Sequence, residues 1–147
     1  MAIVGGLRAK FALDITSFMA GLEKAKKEYD RRAQRAIKKG ALLFVREVKI
    51  ELSKTGTGKH YRRGRKVHIA SAPGQPPAVD TGQLRASITH LVEREFRAWI
   101  GRVGTNLEKA APLEFGTSRM AARPFMLTTL TRIRPQLIRL FERELSG

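Results

Sequence analysis

Apolar residues recur at three- and four-residue steps between Ser17 and Ser53: Phe18, Leu22, Ala25, Tyr29, Ala33, Ala36, Ile37, Ala41, Phe44, Val48 and Leu52. That is the period of one face of an α-helix. A continuous helix over this stretch would run roughly 55 Å at about 1.5 Å per residue. This exceeds the width of a domain of this size. The pattern therefore predicts either a break near Gly40 or a helix that projects from the body. The two halves differ in character. Lys24, Lys26, Lys27, Arg31, Arg32, Arg35, Lys38 and Lys39 crowd the first, whereas Ala41 to Leu52 is richer in large apolar side chains and is the better core helix. Ahead of it, Ile3, Val4, Leu7, Phe11, Leu13 and Ile15 alternate loosely and suggest a short strand over about residues 7–13, with Asp14 or Thr16 capping the helix.

The period changes in the second half of the chain. Thr81 to Ser87 suits one helical turn, with Asp80 or Thr81 as its cap. Ile88, His90 and Val92 alternate with Thr89 and Leu91, Glu93-Arg94-Glu95 reads as a turn, and Phe96, Ala98 and Ile100 alternate again, which together predict an antiparallel hairpin. Leu107 to Phe115 suits a short helix, with Asn106 as cap, Gly116 as stop and Pro112 as a weakness. Pro124 fits the first position of a last helix reaching Leu145, which Pro135 should kink or split. Phe11, Phe44, Phe96, Phe115, Phe125 and Phe141 read as core.

Residues 54–80 break both periods. They begin with the basic run Lys-Thr-Gly-Thr-Gly-Lys-His-Tyr-Arg-Arg-Gly-Arg-Lys and end with Pro73, Pro76 and Pro77, which fix φ and remove donors. A connection this long is functional or is ordered by a partner. A β-hairpin-like arm that orders only in an assembly is the expected form. The fold class expected is α+β: a long N-terminal helix and a C-terminal helix packed on a small antiparallel sheet, with a long basic arm, all in one domain spanning residues 1–147.

Composition sharpens the functional question. The net charge is +16 from 29 Lys and Arg against 13 Asp and Glu, concentrated in the first 66 residues. A field of that sign seeks an anionic partner, either nucleic acid or an acidic protein face. Cysteine is absent, which rules out disulfides and thiolate metal sites. No apolar run is long enough to span a bilayer, and no secretory signal is recognisable.

Catalytic chemistry finds little support. His60, His68 and His90 lack metal-ligand spacing. Ser71, Ser87 and Ser118 lack a nucleophile-elbow setting. Gly56-Thr57-Gly58-Lys59 lacks the spacing of a phosphate-binding loop. Glu108 and Glu114 could face each other but have no apolar pocket around them. No cofactor is called for, and the chain is not expected to be an enzyme. The better candidates are binding residues. Lys59, Arg62, Arg63, Arg65 and Lys66 on the arm, with Arg31, Arg32 and Arg35 on the helix, would face DNA or an acidic neighbour. Tyr61 and Trp99, flanked by cations, could stack on bases. Arg119 and Arg123 suit carboxylate pairing, either with Glu114 of the same chain or across a subunit interface.

Four motifs occur in order: Pro-Gly-Gln-Pro-Pro-Ala-Val-Asp-Thr-Gly-Gln-Leu-Arg-Ala-Ser-Ile (Pro73 to Ile88), Val-Gly-Thr (Val103 to Thr105), Leu-Glu-Phe-Gly-Thr (Leu113 to Thr117) and Ala-Arg-Pro-Phe (Ala122 to Phe125). Together they resemble the tail-completion proteins of long-tailed bacteriophages, also called neck or head–tail joining proteins. The likeness covers roughly residues 35–130 and is weak at the N-terminus. It implies a structural virion protein, assembled in the host cytoplasm as a homo-oligomeric ring of six or twelve copies around the DNA channel. The neighbours it implies are a head-closure or stopper ring and a tail terminator or tube protein, with DNA in the channel as a further contact. It also implies that Glu114, Arg119 and Arg123 contribute to packing between subunits. The alternative, from charge alone, is a free-standing basic nucleic-acid-binding module, for which no recognition-fold signature is present.

Overall fold

The computed structural model describes residues 2–78 and 82–147, with side chains from Ser17 onward except that of Arg63. Asp80 and Thr81, expected as caps, lie outside the described residues. One helix dominates. α1 runs from Ala2 to Glu51 without interruption, 50 residues or about 75 Å at the usual rise. The strand expected over residues 7–13 does not form. That segment has no adjacent strand to complete its hydrogen bonds, and a helix satisfies its own backbone. Asp14 and Thr16 are accordingly interior to α1 rather than caps. Gly40 does not break it either. A Cβ there would stand 2.7 Å from Phe141 Cε1, so the glycine serves close helix packing rather than a bend.

The packing partner is α4, Met126–Ser146. It lies antiparallel to the second half of α1, since Lys39 Nζ meets Glu144 Oε1 at 2.7 Å at one end and Arg132 Nη1 meets Glu47 Oε2 at 3.1 Å at the other. Ile133 and Thr129 are sealed between them, at 0% and 1% exposure. Pro135 sits inside α4 without splitting it. The residue is exposed, so water can take the carbonyl that the missing N–H leaves free. The helix starts at Met126, with Phe125 as cap, two residues later than the Pro124 start expected.

Two separate two-stranded sheets complete the fold. β1 (His60–Arg63) and β2 (Lys66–Ile69) form the basic arm as an antiparallel hairpin with Gly64 at positive φ in its turn. β3 (Thr89–Glu95) and β4 (Ala98–Gly104) form the second hairpin, registered Glu95 to Ala98 and Thr89 to Gly104. Its turn is Phe96-Arg97, not Glu93 to Glu95. Glu93 and Glu95 both pair with Arg102 of β4, and that cross-strand charge pairing keeps them in the strand. This hairpin lies along α1. Gly101 rests on Ile37 and Ala41, and Asp30 accepts from Arg94 Nη1 at 3.0 Å and Trp99 Nε1 at 3.2 Å.

The main core gathers Val48 of α1, Leu52 just past its end, Leu84 of α2 (Gln83–Ser87), Ile88, Ala110 of α3 (Ala110–Phe115) and Phe125. Phe44 packs against its edge and Phe125 is 1% exposed. Two of the phenylalanines expected inside are outside: Phe96 is fully exposed at the hairpin tip and Phe115 is 81% exposed. The side chain of Phe11 lies outside the described residues. α3 begins at Ala110 rather than Leu107, because Thr105 Oγ1, not Asn106, accepts the Leu107 N–H.

Candidate assembly surfaces

The four sequence motifs meet in space, stitched by hydrogen bonds. The Gly74 N–H donates to the Ala122 carbonyl at 3.0 Å, and the Arg123 N–H donates to the Leu113 carbonyl at 2.7 Å. The Ser87 and Thr105 hydroxyls are bonded to each other, and Ser87 Oγ also donates to the Leu84 carbonyl at 2.8 Å. Gly116, at φ 76°, lets the chain pass so close to Met120 and Ala122 that a Cβ would stand 2.8 Å from Ala122 N. Thr117 and Met120 close the intervening loop through paired backbone bonds. These residue types are needed where three loops are clamped together against α1.

Glu114 is the strongest of these clamps. Its Oε2 accepts the N–H of Phe125 at 2.8 Å and of Met126 at 3.0 Å, and its Oε1 accepts that of Leu127 at 2.9 Å. A helix start exposes N–H groups without partners and carries positive partial charge. One carboxylate from α3 thus answers three donors at the start of α4, those of its cap Phe125 and of Met126 and Leu127. Among the described residues neither Arg119 nor Arg123 pairs with it. Arg119 is exposed, with its backbone N–H on Thr117 Oγ1 at 3.2 Å. Arg123 is half-buried, and its Nε has no partner among the described residues.

The cationic candidates divide into two regions. On the arm, Lys59, Arg62, Arg65 and Lys66 are exposed, as is Tyr61. Arg62 Nε donates to the Gly64 carbonyl at 3.4 Å. Arg63 belongs to β1. The arm is held at its base, where the Gly58 N–H donates to the Ala70 carbonyl at 2.7 Å and the Ala70 N–H to Lys59 at 2.9 Å. Gly56 is buried against Ala70, where a Cβ would meet the carbonyl oxygen at 2.1 Å. The paired glycines therefore answer a chain crossing.

On α1, Arg31 and Arg35 are exposed, while Arg32 is paired with Glu28 at 3.1 Å. Trp99 is not free to stack on a base. Its N–H is bonded to Asp30, and Arg94 lies 5.7 Å from its ring centroid. Near the far end of α4, the Lys39 ammonium bonded to Glu144 holds that carboxyl below its usual range, with Arg143 and Arg35 acting the same way against partial burial.

Apolar exposure was harder to foresee. From Ser17 to Lys27 every α1 side chain is exposed. Phe18, Met19, Leu22 and Tyr29 stand between 51% and 69% open. Phe18, Leu22, Ala25 and Tyr29 follow a 4-3-4 spacing, the seam of a helix that packs on another. A second open apolar surface joins Phe115 to Leu127 and Leu130 beside Phe44 and Met126. Periodicity marked the first as a helix face but could not show that the rest of the chain leaves it uncovered. Nothing local distinguishes Phe115 from a core residue.

A family model described as HK97-gp10-like, "Bacteriophage HK97-gp10, putative tail-component", matches residues 16–116, more than two thirds of the chain. The chain belongs to this family. The matched span takes in most of α1, the arm, both hairpins and α3, and stops short of the Ala122 to Phe125 motif. Comparisons with curated proteins and with solved structures gave no match. Membership makes this chain a phage tail component, consistent with a structural virion protein that contacts other virion proteins. No helix among the described residues is long and apolar enough to cross a membrane.

Proposed function

We propose that this protein is a ring-forming component of the phage neck, joining the head-closure or connector complex to the tail around the DNA channel. The observation that carries the reading is the first half of α1. From Ala2 to Asp30 it extends roughly 40 Å, and an apolar seam runs along the part whose side chains are described. A helix with that seam left in water gains from burying it on another chain. A second copy offers the open surface around Phe115, Leu127 and Leu130. Two different patches meeting head to tail make a heterologous interface, and such an interface closes into a ring when its rotation allows. Six or twelve copies match the symmetries of tails and portals. The exposed cations of the arm then face the acidic ring next to it, the DNA in the channel, or both, and assembly takes place in the host cytoplasm.

The test is an assembly assay. Phe18→Ser with Leu22→Ser alters two exposed side chains outside the core. The pair should leave thermal stability unchanged and abolish ring particles seen by negative-stain microscopy and light scattering. Reversing Arg62, Arg63 and Arg65 to Glu should spare the fold and lower phage titre. A wild-type chain that stays monomeric at high concentration, and binds DNA with a steep salt dependence, would favour a free nucleic-acid-binding module instead. Unchanged titre with the triple reversal would remove the arm from the assembly.

A further inference from the structure

A cavity of about 240 Å³ opens between the end of α1, the base of the arm, α2 and the loop ahead of α4. Its lining has two halves. Leu52, Leu84 and Leu113 supply an apolar floor, while Arg85, Lys109 and Arg123 supply three cations. No carboxylate lines it among the described residues. Two cations are held at the rim by neutral partners: Arg85 Nη1 donates to Ser53 Oγ at 3.0 Å, and Lys109 Nζ to Gln83 Oε1 at 3.3 Å. Neither contact neutralises charge.

Two residues that line this cavity each bury a polar atom without a partner among the described residues. One such atom is Arg123 Nε. The other is the hydroxyl of Ser71, a residue only 3% exposed. Buried polar atoms are almost always bonded, and each exception calls for an explanation. Here both exceptions belong to residues that line one cavity, and that cavity carries only positive charge. Water could answer the hydroxyl but would leave the three like charges lining the cavity without a counter-charge among the described residues.

We propose that this cavity is a binding site for a carboxylate on a short aliphatic stem, the side chain of a Glu or Asp presented by a partner protein. The guanidinium of Arg123 and the ammonium of Lys109 take the oxygens, Ser71 donates its hydroxyl, and the methylenes lie on Leu84 and Leu113. A bare phosphate would meet the cations but leave the apolar floor uncovered. The site goes beyond the ring reading and does not depend on it, because a monomer and a ring carry the same cavity.

Saturation-transfer NMR on the full chain tests this with three probes: the capped tripeptide Ala-Glu-Leu, its Ala-Gln-Leu counterpart, and inorganic phosphate as competitor. The Glu peptide should bind at least tenfold more tightly than the Gln peptide and should resist displacement by equimolar phosphate. Lys109→Met, at an exposed position, should weaken binding about tenfold without altering the melting temperature. Ser71→Ala should weaken it several-fold while leaving stability equal or higher, which a purely structural hydroxyl would not do. Asp80, between Ala78 and Gly82 in sequence, is the chain's own competing carboxylate, so Asp80→Asn is the decisive control. Binding that appears only in Asp80→Asn overturns the proposal, because the chain then fills its own site. Equal affinity for the two peptides, tighter binding of phosphate, or no binding to the wild-type chain overturns it as well.

Discussion

Replacing Glu114 isolates the clamp between α3 and α4. The carboxylate takes three N–H groups at the start of a 21-residue helix. An ordinary side-chain cap is worth about 0.5–2 kcal/mol, and a charge in a partly buried position at a helix end adds up to about 2 kcal/mol. Glu114→Ala should therefore cost about 2–3 kcal/mol, since it also strands donors near the core beside Phe125. For a chain of this length that is a fall in melting temperature of about 5–10 °C. Glu114→Gln separates charge from shape. A carboxamide has one acceptor oxygen and must turn its NH2 toward the remaining donor, so it should recover less than half of the loss. The assay is urea unfolding followed by circular dichroism, with Glu108→Gln as an exposed control expected to stay within about 0.5 kcal/mol of wild type. If Glu114→Gln unfolds at the wild-type midpoint, the carboxylate is not what begins α4.

Three further outcomes follow from single contacts. Gly56→Ala places a methyl 2.1 Å from the Ala70 carbonyl oxygen, a backbone clash that should cost about 2 kcal/mol or more and speed amide exchange at Gly58 and Ala70; unchanged exchange would mean the crossing is looser than described. Thr129→Val keeps shape and removes a hydroxyl that is buried without a partner among the described residues, so it should stabilise by up to about 1 kcal/mol in urea unfolding, and a clear loss would show the hydroxyl is satisfied. Glu144, held below the usual carboxyl range by Lys39, contributes stability that is present above its unfolded pKa and lost as pH falls through its lower folded pKa. Glu144→Gln should flatten that acid limb of the stability curve, and an unaltered limb would refute the coupling.

Legibility followed the range of the interactions. The helical face from Phe18 to Leu52 and the alternation around Ile88 to Val103 are local patterns, and both were readable. The α+β architecture followed from them. What failed were endpoints and exposures decided by distant residues. The turn of the second hairpin moved to Phe96-Arg97 because Arg102, on the opposite strand, holds Glu93 and Glu95. The pattern left open a break at Gly40 or a continuous projecting helix; the helix is continuous, and the position of Phe141, a hundred residues on, shows that Gly40 admits a ring. Glu114 looked like half of a salt bridge, and its partners are backbone groups that no side-chain pattern encodes.

The same distinction bears on how the motifs relate to function. The residues that carried the likeness to tail-completion proteins are chiefly those that fasten loops to one another: Gly74, Ser87, Thr105, Glu114, Gly116 and Ala122. The surfaces proposed for assembly use other residues, Phe18, Leu22, Phe115, Leu127 and those of the arm, where the requirement is only for apolar or cationic character. A framework of fixed bonds tolerates few substitutions, whereas a docking face needs to match only its partner. A chain of this kind can therefore keep a recognisable signature while its contacts are retuned to a different neighbour. The family motifs then identify the framework, and the exposed side chains decide which virion neighbour it fits.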